Sequence, residues 1–331
     1  MHLLSLGGAL YAEIWFHGTI QQVSNSMKTY PVHEDFRKLQ MGIPLYKPVL
    51  PFLQRMTRTV YLRQSIPESL NIKRETCIAY DGYPIPIEVF SPKEINPNAP
   101  CLLFLHGGAF VLPAADHHKK LIIDFALGCS CKVVIADYRL APRYPYPYGL
   151  EDCFSVYRWI EEHAKELSID PERIAIYGDS AGGALTAGLT HLIRARSQKM
   201  PQFQMLIYPV LDARLSTDSM QKYVDTPIWN AKLNAKMWKL YLAEKKDSYA
   251  SPNEMTSLEG LPNTYIEVNE FDCLRDEAIE YAKKLQKTGI EVNLVKTEGT
   301  VHGFELNYES SYTQMIIGQR IAYIKEQFAL R

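Results

Sequence analysis

Apolar residues occur along this chain in short runs that are separated by longer amphipathic stretches. The short runs predict strands at 75–79, 85–90, 101–105, 132–136, 173–177, 204–208, 264–268 and 292–296. The stretches with helical spacing predict helices at 117–127, 150–167, 184–196, 276–287 and 311–328. Strands that alternate with helices indicate a parallel sheet covered on both faces. Asp81-Gly82 joins the first two runs and is a hairpin signal, so this pair is expected to be antiparallel.

Two segments depart from this alternation. Residues 1–70 are expected to form helices and loops that are broken by prolines, and residues 213–250 contain the amphipathic stretch 228–244. Both segments are rich in large apolar side chains, most of which should pack on the core while a few line an apolar pocket. The sequence does not separate the two groups among Trp15, Phe16, Phe36, Phe52, Trp229, Met237, Trp238 and Tyr241.

The composition narrows the function classes. The 331 residues are 47% hydrophobic and 22% charged with a formal net charge of −1, which is ordinary for a globular enzyme and gives no sign of nucleic-acid binding. Six cysteines lack metal-site spacing and are expected to be reduced, buried thiols. The sequence therefore predicts no metal and no cofactor.

The N-terminus is apolar but makes a poor secretory signal. No basic residue precedes its apolar run, and the first lysine is Lys28. Elsewhere no run of about 18 apolar residues occurs, so no membrane span is expected. The predicted location is cytoplasmic.

The segment Gly178-Asp179-Ser180-Ala181-Gly182 carries the strongest chemical signal. It follows the strand-like run 173–177 and opens the helical run 184–196. A serine between glycines at a strand-to-helix turn is the context of a nucleophile elbow, in which the tight turn leaves no room for flanking side chains. The alternative is that Ser180 only caps the helix, and the flanking glycines weaken that interpretation.

Two further segments supply the partners that a serine nucleophile needs. His106-Gly107-Gly108-Ala109 follows the run 101–105, and a glycine-rich turn there can direct backbone N–H groups at an oxyanion. His302 lies after the last strand-like run, and Asp272 lies just after the run 264–268. The chain order Ser, Asp, His is that of α/β-hydrolases. Asp276 is the competing acid, but it falls about one turn into a helix.

With these motifs, the chain resembles the hormone-sensitive-lipase-like carboxylesterases of the α/β-hydrolase superfamily, which carry H-G-G-G and G-D-S-A-G-G motifs. The match runs from about Asp81 to His302 and includes Y-R-L-A-P at 138–142 and a D-x-L-R-D-E segment at 272–277. The resemblance implies an α/β fold with a mostly parallel eight-stranded sheet, helices on both faces and a helical cap. The cap would comprise 1–70 and 213–250, and the catalytic core 71–212 and 251–331.

Three positions depart from the family pattern. Ala109 stands where a third glycine is usual, Arg143 stands where glutamate normally follows Y-R-L-A-P, and Cys273 replaces a proline after the catalytic aspartate. Only the backbone amide of residue 109 is needed, so alanine keeps the donor while its methyl could narrow the pocket.

Each singled-out residue receives an expected role. Ser180 is the nucleophile, His302 its general base, and Asp272 the acceptor that fixes the histidine tautomer. The expected oxyanion hole consists of the amides of Gly108, Ala109 and Ala181, with Gly107 shaping the turn. His106 should orient its loop, and His117-His118 should lie in a solvated loop rather than bind metal. A structural role is expected for Asp137, Tyr138, Arg139 and Asp152.

These expectations together predict a serine carboxylesterase that acts on short- to medium-chain acyl esters through an acyl-enzyme. Two alternatives stay open: a non-catalytic receptor for small ligands on the same fold, and an amidase or deacetylase of a specific metabolite. The expected partner is a small-molecule ester rather than nucleic acid, and the sequence leaves a homodimer open.

Overall fold

The described residues form one eight-stranded sheet with helices packed against it. The structure is a computed structural model that describes residues 30–39, 42 and 44–330. Within the expected N-terminal part of the cap, residues 1–29, with Trp15 and Phe16, lie outside these described residues. The strands are β1 (Leu70–Ile78), β2 (Pro84–Pro92), β3 (Ala99–Leu105), β4 (Lys132–Ala136), β5 (Ile169–Asp179), β6 (Phe203–Ile207), β7 (Asn263–Phe271) and β8 (Val292–Val301).

The sheet order is β1-β2-β4-β3-β5-β6-β7-β8. The pairs β1–β2 and β2–β4 are antiparallel, and the other neighbours are parallel. Only β2 therefore runs against the rest of this sheet. Every residue of β3 is buried, which fits a central strand whose two faces are both covered by helices.

The described residues contain the five predicted helices with shifted ends and three further helices within 1–70 and 213–250. They are Leu50–Arg63, Asp116–Gly128, Tyr148–Glu162, Ala181–Ala195, Asp218–Lys222, Ala231–Leu242, Arg275–Lys287 and Ser311–Ala329. The prediction of one helix over 150–167 was too long, because the helix ends at Glu162 and a turn follows. Ala164 and Leu167 in that turn are buried, and their spacing resembles continued helical periodicity.

Strand register brings distant chain segments together at one edge of the sheet. Leu105 of β3 is paired with Gly178 of β5, so the loop after β3 lies beside the turn after β5. Phe271 of β7 is paired with Val301 of β8, so Asp272 and His302 leave the sheet side by side. Parallel α/β sheets commonly bind ligands at the carboxyl ends of their strands.

The segment expected to form the second part of the cap packs above this edge. The ring of Tyr241 stacks on Phe110 with centroids 3.7 Å apart, and Trp229 lies 5.9 Å from the His302 ring. Trp229, Met237, Trp238 and Tyr241 are all buried. In contrast, Phe52 on the helix Leu50–Arg63 is 68% exposed.

Candidate active site

Ser180 occupies a strained turn between β5 and the helix Ala181–Ala195. Its φ is 53° and its ψ is −116°, a conformation that residues other than glycine rarely adopt. A Cβ on Gly178 would lie 2.1 Å from the carbonyl oxygen of Gly182, and a Cβ on Gly182 would lie 1.9 Å from that of Leu105. The glycines are therefore required because the turn closes on itself and on the end of β3.

Ser180, His302 and Asp272 form a continuous hydrogen-bonded chain. The Ser180 Oγ lies 2.8 Å from His302 Nε2, and His302 Nδ1 lies 2.7 Å from Asp272 Oδ2. The other Asp272 oxygen accepts a hydrogen bond from the Leu274 N–H at 3.0 Å. Ser180 is 7% exposed, His302 is 5% exposed and Asp272 is fully buried. This arrangement can remove a proton from the serine and hold it on the imidazole.

Asp276, the competing acid, has other partners. Its Oδ2 accepts from the Ser219 N–H at 2.8 Å, and its Oδ1 pairs with Arg275 Nε at 2.8 Å. Burial alone would raise the pKa of Asp276, but the bonds and the attraction from Arg275 lower it below its usual value. Asp276 thus ties the start of its helix to the segment around Ser219, whereas Asp272 reaches His302.

The loop after β3 presents backbone N–H groups beside the elbow. Gly108, Ala109 and Phe110 follow one another with φ of 121°, 56° and 58°. Among the described residues, no protein acceptor is found for the N–H groups of Gly108, Ala109 and Ala181. Ala181 is the first residue of its helix, where N–H groups have no intrahelical partner. These three donors are the ones that the sequence suggested for an oxyanion.

Gly107 shapes the turn, and its own N–H is bonded to the elbow. That N–H donates to Asp179 Oδ1 at 3.0 Å, and a Cβ on Gly107 would lie 2.2 Å from Asp179 Oδ2. Burial alone would raise the pKa of Asp179. The hydrogen bonds that its carboxylate accepts from His118 and Gly107 outweigh it and lower this pKa to about 2.

His106 has contacts that fit the expected orienting role. Its ring stacks on Tyr138 with centroids 4.3 Å apart, its Nδ1 lies 2.7 Å from the Gly107 carbonyl oxygen, and the Tyr138 hydroxyl donates to the His106 carbonyl at 2.7 Å. Burial lowers the pKa of His106 to about 3. The ring is therefore neutral at pH 7, and its Nδ1 proton holds the Gly107 carbonyl.

The expected solvated loop at His117-His118 was wrong. Both residues belong to the first turn of the helix Asp116–Gly128, and His118 is 3% exposed. Its Nε2 lies 3.1 Å from Asp179 Oδ2. In the part of the chain that the structure describes, no group of three or more His, Cys, Asp or Glu side chains could hold a metal ion. Sequence reasoning missed this contact because it joins positions 61 residues apart.

A second set of connected, buried side chains, which the sequence analysis did not single out, contacts the His302 ring. The Tyr208 ring meets the His302 ring edge-on with centroids 4.7 Å apart, and the Tyr208 hydroxyl donates to Glu305 Oε2 at 2.7 Å. The buried Arg320 pairs with Glu305 and with Glu267, at 2.5 and 2.6 Å. Burial raises the pKa of Glu305, although Arg320 opposes that rise. The spacing H-G-F-E at 302–305 was the available signal.

Arg139 and Asp152, two of the residues expected to be structural, join the segment after β4 to the helix Tyr148–Glu162. Arg139 forms a buried fork to Asp152 and also pairs with Asp81. Among the departures, Cys273 is fully buried, its carbonyl accepts from the Ser219 hydroxyl at 2.8 Å, and burial raises the pKa of its thiol. All six cysteines are buried and unpaired.

A cavity of about 220 Å³ lies beside the site rather than at it. It is lined by residues of the helix Leu50–Arg63, by strands β1, β2 and β4, and by His106, but not by Ser180 or His302. Ser180 and His302 are themselves largely covered, at 7% and 5% exposure. No helix among the described residues is both long and apolar enough to cross a bilayer.

Comparison with known proteins identifies the family of this chain. Residues 102–306 match a family model described as the alpha/beta hydrolase fold. The chain belongs to the α/β-hydrolase family. The matched region extends from β3 to the turn after His302, and so includes the elbow, the glycine-rich loop and the histidine.

The most similar relatives include named esterases. The chain is 36% identical over 246 residues to carboxylesterase NlhH of Mycobacterium tuberculosis, covering 72% of this chain and 76% of that protein. It is 32% identical to esterase LipI of the same species, covering 78% and 88%. A solved structure of a bacterial heroin esterase superposes with a TM-score of 0.85 at 32% identity, covering 91% and 99%. The predicted family, fold and enzyme class are confirmed.

Proposed function

We propose that this α/β-hydrolase is a serine carboxylesterase that cleaves short- to medium-chain acyl esters through an acyl-enzyme, with Ser180, His302 and Asp272 as its triad. The observation that carries the proposal is the distance of 2.8 Å between Ser180 Oγ and His302 Nε2. A neutral serine hydroxyl needs such a base, because it is almost never ionised at pH 7.

The reaction would proceed in two halves. His302 Nε2 accepts the Ser180 proton as Oγ attacks the ester carbonyl carbon, and the tetrahedral oxyanion accepts hydrogen bonds from the amides of Gly108, Ala109 and Ala181. The C–O bond to the alcohol then breaks, and His302 returns the proton to the leaving alkoxide. Water attacks the acyl-enzyme with His302 again as the base, which releases the acid and frees Ser180.

A cap formed by 1–70 and 213–250 over a core of 71–212 and 251–331 is part of the proposal. The contacts of Trp229 with His302 and of Tyr241 with Phe110 support it for the second segment. The low exposure of Ser180 fits a small, closed acyl site better than an open lipid-binding surface. A cytoplasmic location is also proposed, supported by six buried, unpaired thiols.

The test is removal of the proposed nucleophile. Ser180→Ala should lower kcat on p-nitrophenyl butyrate by at least about three orders of magnitude and should keep the fold. A serine-directed phosphonate should label Ser180. The matched control is Ser155→Ala, because the Ser155 hydroxyl donates to the Glu151 carbonyl within the helix Tyr148–Glu162. The kcat of this variant should not change.

The outcomes also separate the alternatives. A wild-type protein that binds the esters without turnover would be a receptor, and faster cleavage of matched anilides than of esters would indicate an amidase. Substantial activity in Ser180→Ala, or a label on another serine, would overturn the assignment of the nucleophile.

A further inference from the structure

His118 connects two ends of the loop that carries the proposed oxyanion donors. The Ala115 N–H donates to His118 Nδ1 at 2.9 Å, and His118 Nε2 lies 3.1 Å from Asp179 Oδ2. Because a backbone N–H can only donate, Nδ1 must be the acceptor. The ring proton therefore sits on Nε2, and His118 donates it to Asp179.

Asp179 connects His118 to the start of the loop. Its Oδ2 accepts from His118, and its Oδ1 accepts from the Gly107 N–H at 3.0 Å. Asp179 also immediately precedes Ser180, so the same carboxylate joins the elbow to the loop. A carboxylate with a fixed donor on each oxygen cannot rotate without losing one of the two bonds.

The loop between these two anchors needs such support. Gly107 and Ala115 bracket a segment in which three consecutive residues, 108–110, have positive φ, and two of them carry a Cβ. Backbone conformations of this kind cost free energy and persist only where surrounding contacts hold them. Gly108 and Ala109 supply two of the proposed oxyanion donors, and such donors act only if they are aimed within a few tenths of an ångström.

We propose that His118 is a positioning residue for ester hydrolysis, which holds the Gly107–Ala109 amides in place by donating through Nε2 to Asp179. This inference rests on the proposed esterase function. His118 does not touch the reacting atoms, so its contribution should be to the transition state, where the oxyanion exists, and not to the binding of the neutral ester.

Two near-isosteric variants each keep one of the two hydrogen bonds that the His118 imidazole makes. The amide nitrogen of His118→Gln can occupy the place of Nε2 and keep the donor to Asp179, while it gives up the acceptor for Ala115. The side chain of His118→Asn reaches only the place of Nδ1, so it keeps that acceptor and loses the donor. The control is His191→Asn, because His191 is also buried, but its Nε2 lies within hydrogen-bond distance of the Tyr281 hydroxyl instead of Asp179.

The experiment measures kcat and KM on p-nitrophenyl butyrate and the inhibition constant of an alkyl trifluoromethyl ketone, whose Ser180 adduct bears an oxyanion. His118→Asn should lower kcat by about 10- to 100-fold, part of the loss expected for a missing oxyanion donor. KM should stay within about threefold, the ketone should bind weaker by the same factor as kcat/KM, and His118→Gln should lose clearly less. His191→Asn should lower the melting temperature without changing kcat.

Three results would overturn the inference: a kcat within about threefold of wild type in His118→Asn, equal losses in the Gln and Asn variants, or a change in KM alone. Failure of the esterase function would look different, because turnover of the wild type would then be absent or would persist in Ser180→Ala. Melting temperatures of both His118 variants, measured alongside, ensure that the comparison is made between folded proteins.

Discussion

Each proposed catalytic side chain depends on one or two short contacts that fix its direction. Ser180 and Asp272 are both within hydrogen-bond distance of the same imidazole, and Leu274 holds the second oxygen of Asp272. The two candidate acids lie four residues apart, so the sequence alone could only rank them. Their partners in the structure separate them, because Asp272 contacts His302 and Asp276 contacts Ser219.

The two acids give the first prediction at this scale. Asp272→Asn should lower kcat by roughly four orders of magnitude, because the amide favours the wrong imidazole tautomer. Asp276→Asn should leave kcat within about tenfold and should lower the free energy of unfolding by about 1 kcal/mol through the Ser219 and Arg275 bonds. Steady-state kinetics and urea unfolding of both variants provide the check. Reversed effects would make Asp276 the acid.

Ala109 gives the second prediction at the residue scale. Its φ of 56° costs a residue with a Cβ about 1 kcal/mol relative to glycine, and its methyl lies in the loop that faces the proposed acyl site. Ala109→Gly should therefore not be less stable. It should shift the preferred p-nitrophenyl ester toward bulkier acyl groups. Each added methylene that is buried stabilises the transition state by up to about 0.8 kcal/mol and so raises kcat/KM. Once the acyl chain overfills the site, overpacking costs about 1–3 kcal/mol and kcat/KM falls.

The control for Ala109 is Ser197→Gly, because Ser197 also has a positive φ, 52°, but follows the far end of the helix Ala181–Ala195. It should show the stability effect without any change in acyl preference. An unchanged profile in Ala109→Gly would remove this methyl from the acyl site, and best activity on long-chain lipid emulsions would indicate a lipase.

The motif residues could be predicted individually, whereas the buried residues that lie around them could not. Ser180, Asp272 and His302 each follow a strand-like run, so a local pattern indicated them. His118 and Glu305 contact Asp179 and Tyr208, which are 61 and 97 positions away in the sequence. No local pattern encodes contacts of that length, because they depend on which strands become neighbours.

At the scale of elements, strand register determines the geometry of the site. The pairs Leu105–Gly178 and Phe271–Val301 place each motif beside its partner. The sequence located all eight strands but shortened several of them. β1 begins at Leu70, five residues before the predicted start. The prediction missed its first half because that half is largely exposed and polar and has no apolar run. Strand order also could not be obtained from periodicity, which carries no information about neighbours.

Two glycine substitutions test this tight contact between elements. Gly182→Ala should unfold the protein or leave it inactive, because the new Cβ would lie 1.9 Å from the Leu105 carbonyl oxygen and would push β3 away from the elbow. Gly318→Ala is the matched change in the helix Ser311–Ala329, where no described atom outside the nearby helix backbone lies within 4 Å of the added Cβ. It should raise the free energy of unfolding by about 0.5–1 kcal/mol, with full activity. Thermal melts and ester hydrolysis measure both, and a stable, active Gly182→Ala variant would contradict the packing described.

At the scale of the whole molecule, the fold keeps several histidines buried and neutral. Burial lowers the pKa values of His106 and His191 from 6.5 to about 3, with a contribution from Arg194 for His191, and it also holds the pKa of the half-buried His117 well below its usual value. These histidines come from separate elements, after β3 and on two helices. The low net charge of the chain gave no indication of this property, since it depends on which side chains the packed core encloses.

As the pH is lowered, the free energy of unfolding should therefore begin to decrease at a higher pH than protonation of carboxylates alone would cause. A histidine with a lowered pKa in the folded state takes up a proton only on unfolding. Its contribution is thus complete above about pH 6.5 and is lost progressively as the pH falls toward about 3. Within that window each such histidine adds up to about 1.4 kcal/mol per pH unit to the slope of the unfolding free energy. His191→Gln removes one of them away from the proposed site, so its slope between pH 6 and 4 should be flatter than that of wild type by about that amount, while ester hydrolysis at pH 7 is retained. Urea-unfolding free energies at four pH values would measure both slopes, and equal slopes would mean that His191 is already protonated in the folded protein.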